Sequence, residues 1–323
     1  MALAIEDISI ENYRCFHTTE ISGFRQVNLI GGKNNVGKTT LLEALYILNM
    51  GDAALNGIHF WREEKGDSRI NAFYQRNLKE VIRISTKNSK GVAIKSRHIR
   101  VSEKDANAYS IILNEDGSFH NYFGQRNDIS THFIPSRNNF LSHQDLTKLY
   151  SYARKIDDNN ISTLLEGFKT IDSTFQHIEI IIESDNQPVL YLKKENDLTR
   201  PIKSYGDAMN RMAEFILRIV SSPNSVLLID EIENGIHYQT QEQIWDILFQ
   251  LAIKHNVQIF ATTHSLEMIK SFAKLAHKYS EHAAYFEMYR NQRNNEIAAI
   301  FHDSAALEYE LSHHLEIRGG QIA

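Results

Sequence analysis

Apolar and polar residues alternate along the first part of the chain, from residue 5 to residue 30. This spacing predicts short strands joined by turns, because neighbouring side chains of a strand point to opposite faces of a sheet. The last of these strands runs into two glycines at residues 31–32, and residues 39–50 then place apolar side chains at helical spacing. The chain therefore opens with β-structure, followed by a glycine loop and a helix.

The middle of the chain changes from a strand pattern to a helix pattern. Four β-patterned runs predict a second, antiparallel sheet, and they occupy residues 81–84, 92–94, 110–113 and 132–134. Residues 141–175 instead have apolar positions at helical spacing, and a polar stretch at 157–160 divides them into two helices. We therefore expect a helical hairpin after the second sheet.

Strands and helices alternate in the second half, which is typical of a parallel sheet. The order is a β-hairpin, a helix, a strand, a helix and a strand, over residues 178–192, 206–220, 226–229, 239–254 and 258–262. Two more strand-like runs follow at 284–289 and 297–300. The whole pattern predicts an α/β protein in three parts: an N-terminal lobe (1–136), a helical insertion (137–177) and a C-terminal lobe (178–323).

Composition and charge exclude several classes of protein. The 323 residues are 42% hydrophobic and 23% charged, which is enough to bury a core and excludes a disordered chain. The single cysteine, Cys15, cannot form an internal disulfide and suits a reducing compartment. Because neither a signal-peptide pattern nor a long apolar run occurs, we expect a cytoplasmic protein with no membrane contact. The net charge of −5 leaves nucleic-acid binding to a local basic patch.

The glycine loop carries a phosphate-binding pattern. Residues 32–39 match Gly-x-x-x-x-Gly-Lys-Thr in full, between a predicted strand and a predicted helix. In this pattern backbone N–H groups surround the phosphates, Lys38 reaches the β- and γ-phosphates, and the Thr39 hydroxyl binds Mg²⁺. The residues that we expect at the nucleotide are Gly32, Lys33, Asn34, Asn35, Val36, Gly37, Lys38, Thr39 and Thr40. The alternative is a glycine-rich turn that arose by chance.

Two later strands end in polar residues that suit nucleotide hydrolysis. The strand over 226–229 is followed by Asp230, which we expect to hold Mg²⁺ through water, and by Glu231, which we expect to polarise the attacking water. The strand over 258–262 leads to His264, which is placed to sense a γ-phosphate. One helix separates the two strands, so we expect them to lie side by side. The alternatives are a charged turn and an ordinary surface histidine.

These patterns carry a resemblance to a known group of proteins. Together with the segments Ile-Glu-Asn-Tyr-Arg-Cys-Phe at 10–16 and Ile-Asp-Glu-Ile-Glu-Asn-Gly-Ile-His at 229–237, they resemble the ABC-type ATPase heads of the SMC, RecF and OLD group. Within it, the chain looks most like the stand-alone AAA-family ATPases of bacterial anti-phage defence, such as the ATPase subunit of PARIS-like systems. The resemblance implies a P-loop fold with a mixed central sheet, an antiparallel β subdomain and a helical insertion.

The resemblance also implies further site residues. In such heads a signature loop of one subunit closes over the ATP of another, and residues 203–211 lie at the matching place, with Ser204 and Gly206 as the candidates. This loop departs from Leu-Ser-Gly-Gly-Gln, so Ser204 as a plain helix N-cap is an alternative. Arg14 matches an arginine near the nucleotide and residues 234–237 match a dimer-contact loop, although surface roles would explain both. Candidates for the magnesium-binding glutamine are Gln125 and Gln144, with residues 134–137 as a substitute loop.

Chain length limits the function. About 165 residues separate Thr39 from Ser204, too few for the long arms of chromosome-organising proteins, and about 59 follow His264, too few for the nuclease domain of complete OLD proteins. The resemblance therefore implies an ATP-hydrolysing switch in anti-phage defence. It would form a homo-oligomer through shared ATP sites and control a separate effector protein encoded nearby.

The main alternative is a RecF-like repair protein that binds DNA when ATP is bound. A basic stretch could contact phosphates, with Lys90, Lys95, Arg97, His98, Arg100 and Lys104 along a strand-like segment. An edge strand protected by lysines is the commoner explanation of such a stretch. A transporter motor, a GTPase and a metabolic kinase are weaker alternatives, because the signature loop departs from the transporter form and no Asn-Lys-x-Asp motif occurs.

Overall fold

The fold is known from a computed structural model, which describes residues 3–51, 54, 58, 72, 74–76, 80–87, 93–101, 109–112, 129–136, 141–195, 197–313 and 317. The strands in these ranges are β1 (Asp7–Tyr13), β2 (Phe16–Ser22), β3 (Val27–Gly32), β4 (Ile82–Lys87), β5 (Ala93–Val101), β6 (Tyr109–Ile112), β7 (Thr131–Ile134), β8 (Phe175–Ile182), β9 (Pro188–Lys194), β10 (Arg200–Pro201), β11 (Val226–Ile229), β12 (Gln258–Thr262), β13 (Ala283–Arg290) and β14 (Ile297–His302). The α-helices are α1 (Lys38–Met50), α2 (His143–Ile156), α3 (Asn159–Ile171), α4 (Asp207–Ser221), α5 (Gln241–His255), α6 (Leu266–Lys278) and α7 (Ser304–Ser312).

A six-stranded sheet forms the centre, in the order β14-β13-β3-β12-β11-β7. All neighbouring strands run parallel except β14, which is antiparallel to β13. Every residue of β3, β11 and β12 is buried, so these strands are covered on both faces, as their nearly continuous apolar sequences require. Because they are parallel, their carboxyl ends meet at one edge of the sheet. The predicted neighbours β11 and β12 do pair.

The second sheet differs from its prediction in three strands. Its order is β2-β1-β4-β5-β6, so the two opening strands belong to it, and it is antiparallel throughout. The prediction that the run at 132–134 joins this sheet is wrong, because β7 pairs in parallel with β11 at the edge of the central sheet. A run of three residues has too little periodicity to show which sheet it joins. Its place is set by pairing with β11, which is distant in the sequence.

Two hydrophobic cores lie on opposite faces of the central sheet. On one face α1 and the antiparallel sheet pack around apolar residues such as Ile30 and Phe260. On the other face α4, α5 and α6 pack around neighbours in the same strands, such as Leu29 and Ile259. Alternation along each strand divides the side chains between the two cores.

The predicted helical hairpin is present as α2 and α3, which pack against α4. Ser142 caps α2 by accepting a hydrogen bond from the Asp145 amide, which fixes where the helix begins. Helix α6 was not predicted, although Met268, Ile269 and Phe272 recur at helical spacing and are buried. The division of the chain into three parts remains a prediction. Within the described residues, no helix has the length and apolar character needed to cross a membrane.

Candidate active site

The glycine loop joins β3 to α1, and two of its positions accept only glycine. Gly32 has a φ of 150° and Gly37 a φ of 85°. A Cβ atom on Gly32 would lie 2.5 Å from the backbone oxygen of Met288, and one on Gly37 would lie 2.9 Å from the Cys15 sulfur. The loop is therefore held closely between β13 and the β1–β2 turn, and its path depends on backbone conformations that other residues rarely adopt.

Lys38 begins α1 and points back across the loop. Its Nζ donates hydrogen bonds to the backbone oxygens of Gly32 at 2.7 Å and of Lys33 at 2.8 Å. Burial lowers the pKa of Lys38, while the nearby carboxylates of Asp230, Glu233 and Glu231 act in the opposite direction. The ammonium group is thus placed at the centre of a loop of backbone groups, where a phosphate chain can replace its carbonyl partners.

Asp230, directly after β11, meets the hydroxyls of two threonines. Each of its carboxylate oxygens is 3.0 Å from Oγ1 of Thr39, and Oγ1 of Thr262 donates to Oδ1 at 2.6 Å. Burial raises the pKa of Asp230, and hydrogen bonds from Thr262, Thr39 and Ser136 oppose this rise. Carboxylate and hydroxyl oxygens next to the phosphate loop fit a Mg²⁺ ion. Ser136, in the predicted substitute loop, therefore lies at this site.

Glu231 follows immediately but faces a different environment. Its φ of 49° is unusual for a non-glycine residue, and its amide donates to Oγ1 of Thr262 at 2.9 Å. Its Oε2 accepts a hydrogen bond from Nδ2 of Asn234 at 2.9 Å. The Glu231 side chain is 38% exposed, whereas Asp230 is 3% exposed. The left-handed turn thus leaves Asp230 against Thr39 and leaves the Glu231 side chain partly open to solvent.

His264 is held by a residue to which sequence reasoning gave no role. Its backbone N–H and its Nδ1 both approach Oε1 of Glu233, at 2.9 and 3.0 Å, while Oε1 of Glu231 lies 3.9 Å from Nδ1. The other Glu233 oxygen is buried and has no hydrogen-bond partner among the residues described. Glu233 is only two residues after Glu231, and this Glu-x-Glu spacing was the available signal. Glu231, Glu233 and His264 form one cluster.

Arg14 lies against the helix that follows the loop. Its Nε is 3.1 Å from Oε2 of Glu43 on α1, and its φ of 51° places it in the tight turn between β1 and β2. Thr40, also on α1, is buried and forms a side-chain hydrogen bond with Cys15 of the same turn. The β1–β2 turn is therefore tied to the first turns of α1.

The signature candidates lie apart from this cluster. Ser204 belongs to a short 3₁₀ helix (Ile202–Tyr205), and both Ser204 and Gly206 are exposed. The N-cap of α4 is Gly206, so the alternative that Ser204 caps this helix is wrong. None of the hydrogen bonds or ion pairs found in the described ranges joins Ser204 or Gly206 to residues 32–40. Within one chain, the structure does not bring these two residues to the phosphate loop.

The remaining candidates are only partly accounted for. Gln125 lies outside the described residues, and Gln144 is exposed on α2, where it contacts Gln187. Arg137, the last residue of the substitute loop, also lies outside the described residues. Ser136 in that loop accepts a hydrogen bond from Asn234 through its backbone oxygen.

The basic stretch gives little support to a phosphate-binding surface. Lys90, Lys104 and the side chain of Arg100 lie outside the described part of the chain. Arg97 is buried and donates to the backbone oxygen of Leu48 at the end of α1. The alternative of an edge strand is wrong for residues 98–101, which pair with β6, whereas residues 93–97 pair only with β4 among the described residues.

Comparison with solved structures defines the class of fold. The chain is similar to an SMC head bound to the C-winged helix domain of ScpA, with a TM-score of 0.62 and 11% identity over 95% of this chain and 99% of that one. It is also similar to the SMC head domain from Thermotoga maritima, with a TM-score of 0.52, 12% identity and coverages of 92% and 98%. The fold is that of the SMC and ABC-type ATPase heads.

The family is shown by sequence. Residues 57–270 match the family described as "AAA domain, putative AbiEii toxin, Type IV TA system", and the chain belongs to this family. It is 25% identical to an ATP/GTP phosphatase of Helicobacter pylori over 82% of this chain and 86% of that protein. A shorter match, 46% identical over 46 residues, links it to the replication and repair protein RecF of Bacillus cereus, and covers 14% of this chain and 12% of RecF. The chain is an ATP-hydrolysing enzyme with a P-loop.

Proposed function

We propose that the protein is an ATP-driven switch whose ATP sites are completed by a second copy of the chain. The observation that carries this proposal is the separation of the site into two parts. Lys38, Thr39, Asp230, Glu231 and His264 lie at the phosphate loop and the strand ends beside it. Ser204 and Gly206 are exposed, and no bond found among the described residues joins them to that group. An exposed signature segment suits contact with the nucleotide of a neighbour, so that ATP would join two copies.

The chemistry proposed for the first cluster is hydrolysis of the γ-phosphate. The loop amides and Lys38 bind the phosphates, and Thr39 with Asp230 would hold Mg²⁺, which neutralises charge on the phosphates when bound. Glu231 accepts a proton from the attacking water, because its half-buried carboxylate is partly open to solvent and is held by Asn234. His264 lies beside Glu231 and is placed to orient the same water.

For the biological role we propose bacterial anti-phage defence, in which the ATP-bound assembly controls a separate effector. This role is compatible with the family, whose description refers to a toxin of a type IV toxin–antitoxin system. ATP hydrolysis would open the assembly, and a bound partner would respond to this change of shape. The short RecF match keeps DNA as the alternative ligand of the assembly.

A mixing experiment tests the shared site. Lys38→Ala removes the lysine of the phosphate loop. Ser204→Arg places a large charged side chain on the exposed signature segment. Each variant alone should hydrolyse ATP poorly. An equimolar mixture should recover about one quarter of the parental rate if the assembly is a dimer, because half of the dimers then contain one intact site.

The control is Ser184→Arg, which adds the same charge at an exposed turn between β8 and β9. This variant should keep the parental rate. A mixture that stays inactive, or a Ser204→Arg protein that hydrolyses ATP like the parent, would contradict the shared site.

A second experiment separates the two biological roles. The Glu231→Gln protein is purified from its native host with ATP, with and without nuclease, and the Lys38→Ala protein serves as the control. A stoichiometric protein that survives nuclease and is absent from the control supports an effector switch. Duplex DNA without such a protein supports the RecF-like alternative.

A further inference from the structure

One histidine and two glutamates converge away from the nucleotide site, where the last helix packs on the edge of the central sheet. Glu287 is on β13, His302 on β14 and Glu310 on α7. Glu287 and His302 are 6% and 4% exposed, and the side chain of Glu310 is 26% exposed. One ligand atom from each of the three residues lies within 4.8 Å of the others. Three separate elements thus contribute to one small cluster.

His302 lies between the two glutamates, with its Nε2 3.5 Å from Oε2 of Glu287 and its Nδ1 3.2 Å from Oε2 of Glu310. Because one ion binds only one ring nitrogen of a histidine, the separation to compare with that of two ligands is the one between Nε2 and Glu287. Two ligands on a tetrahedral ion with bonds of about 2.0–2.1 Å are roughly 3.4 Å apart. In addition, Nε2 is buried and has no hydrogen-bond partner among the described residues. A buried ring nitrogen of this kind is usually satisfied, so its orientation toward Glu287 needs a reason.

We propose that Glu287, His302 and Glu310 bind a divalent transition-metal ion, and that Zn²⁺ fits this site best. Imidazole together with carboxylates suits Zn²⁺, whereas Mg²⁺ prefers oxygen ligands alone. Two carboxylates and a neutral imidazole carry the charge that one divalent ion neutralises. The partial exposure of Glu310 gives the ion a way in from solvent.

The place of the cluster in the sheet gives the ion a structural role. Glu287 pairs in register with Gly31, directly before the phosphate loop, and the next residue, Met288, contacts Gly32 through its backbone oxygen. An ion at Glu287 would tie α7 to β13 and β14, and β13 in turn supports the loop. Binding should therefore stabilise the fold without requiring nucleotide.

The test uses the nucleotide-free full chain, stripped with a chelator and titrated with Zn²⁺ alone by calorimetry. We expect one ion per chain and a rise in the midpoint of thermal unfolding. Glu310→Gln should weaken binding by at least about tenfold, since it removes a ligand from the least buried position. Co²⁺ replaces Zn²⁺ in a parallel titration, and its visible absorption reports nitrogen and oxygen ligands in a tetrahedral site.

The matched control is Glu308→Gln, on the same helix. Glu308 faces His277 at 3.7 Å, and both side chains are exposed, so this pair is the competing site for Zn²⁺. Parental binding by Glu308→Gln together with loss in Glu310→Gln supports the proposal. The proposal is wrong if the parent binds no Zn²⁺, or if Glu308→Gln loses the ion while Glu310→Gln keeps it. Thermal unfolding without metal verifies that each variant is folded, and no readout depends on ATP hydrolysis.

Discussion

Two regions of the proposed ATP site differ in how many of their contacts come from the same chain. One is the carboxyl end of the central strands, which carries Asp230, and the other is the segment that carries Ser204. At the sheet edge, Thr39 and Thr262 surround Asp230, and Glu233 holds His264. Ser204 and Gly206 are exposed instead, although Ile202 beside them is buried. Groups that are bonded within the chain keep their geometry before ligand arrives, which lowers the cost of binding and reaction. An exposed segment gains its geometry from what docks on it.

The largest effect is expected from Lys38→Ala, which tests whether the first region alone holds the nucleotide. The variant removes a buried ammonium that lies on the loop, so ATP affinity should fall at least about 100-fold. Equilibrium binding of a fluorescent ATP analogue measures this. Lys155→Ala, an exposed lysine at the end of α2, should bind like the parent. Retention of parental affinity by Lys38→Ala would remove the distinction between the two regions.

Glu231→Gln should separate binding from hydrolysis. The amide still accepts a hydrogen bond but cannot take a proton from water, so kcat should fall by about 100-fold or more while ATP remains bound. Because the second region is proposed to close on bound ATP, this variant should also accumulate as an ATP-dependent oligomer. Single-turnover hydrolysis and light scattering with and without ATP measure both. A parental rate would show that Glu231 is not the base.

A smaller effect is expected when His264 loses its support. Glu233→Ala removes the acceptor for both the backbone N–H and Nδ1 of His264, so kcat should fall by about tenfold, with less change in KM. In a His264→Ala background the same change should have almost no further effect, because the residue to be positioned is gone. Steady-state rates of the parent, the two single variants and the double variant measure this double-mutant cycle. Additive effects would show that Glu233 acts independently of His264.

The last prediction concerns stability rather than catalysis, and it tests how pH acts on the connection between the regions. His132 on β7 contacts Ser222 at the end of α4, the helix that begins beside Ser204, and burial lowers the pKa of His132 to about 4. Between about pH 4 and pH 6.5 the unfolded chain therefore binds more protons, and stability falls as pH drops through this window. His132→Gln should lose about 2 kcal/mol of the fall in unfolding free energy between pH 7 and pH 5. Urea unfolding of the parent and of His132→Gln at pH 5 and pH 7 measures this loss. If the free energy of unfolding changes with pH to the same extent in both proteins, His132 is not the group responsible.

Local spacing made the nucleotide site partly predictable. The order of strand, glycine loop and helix at Lys38, and the apolar strand before Asp230, are visible in short windows because each depends on neighbours in sequence. The adjacency of β11 and β12 also follows, since a single helix connects them. The position of β7 and the hydrogen bonds between Glu233 and His264 were not predicted.

What the sequence determined by itself is the set of elements and the chemistry at their ends, because hydrophobic periodicity and turn residues act over a few positions. What only the tertiary structure decided depends on residues far apart in the chain. Ser136 reaches Asp230 across about 94 residues because β7 lies beside β11. Glu310 reaches His302 because α7 folds back on β14, and Ser204 is exposed although Met209 in the first turn of α4 is buried. Such contacts are set by packing of whole elements, which no short window contains.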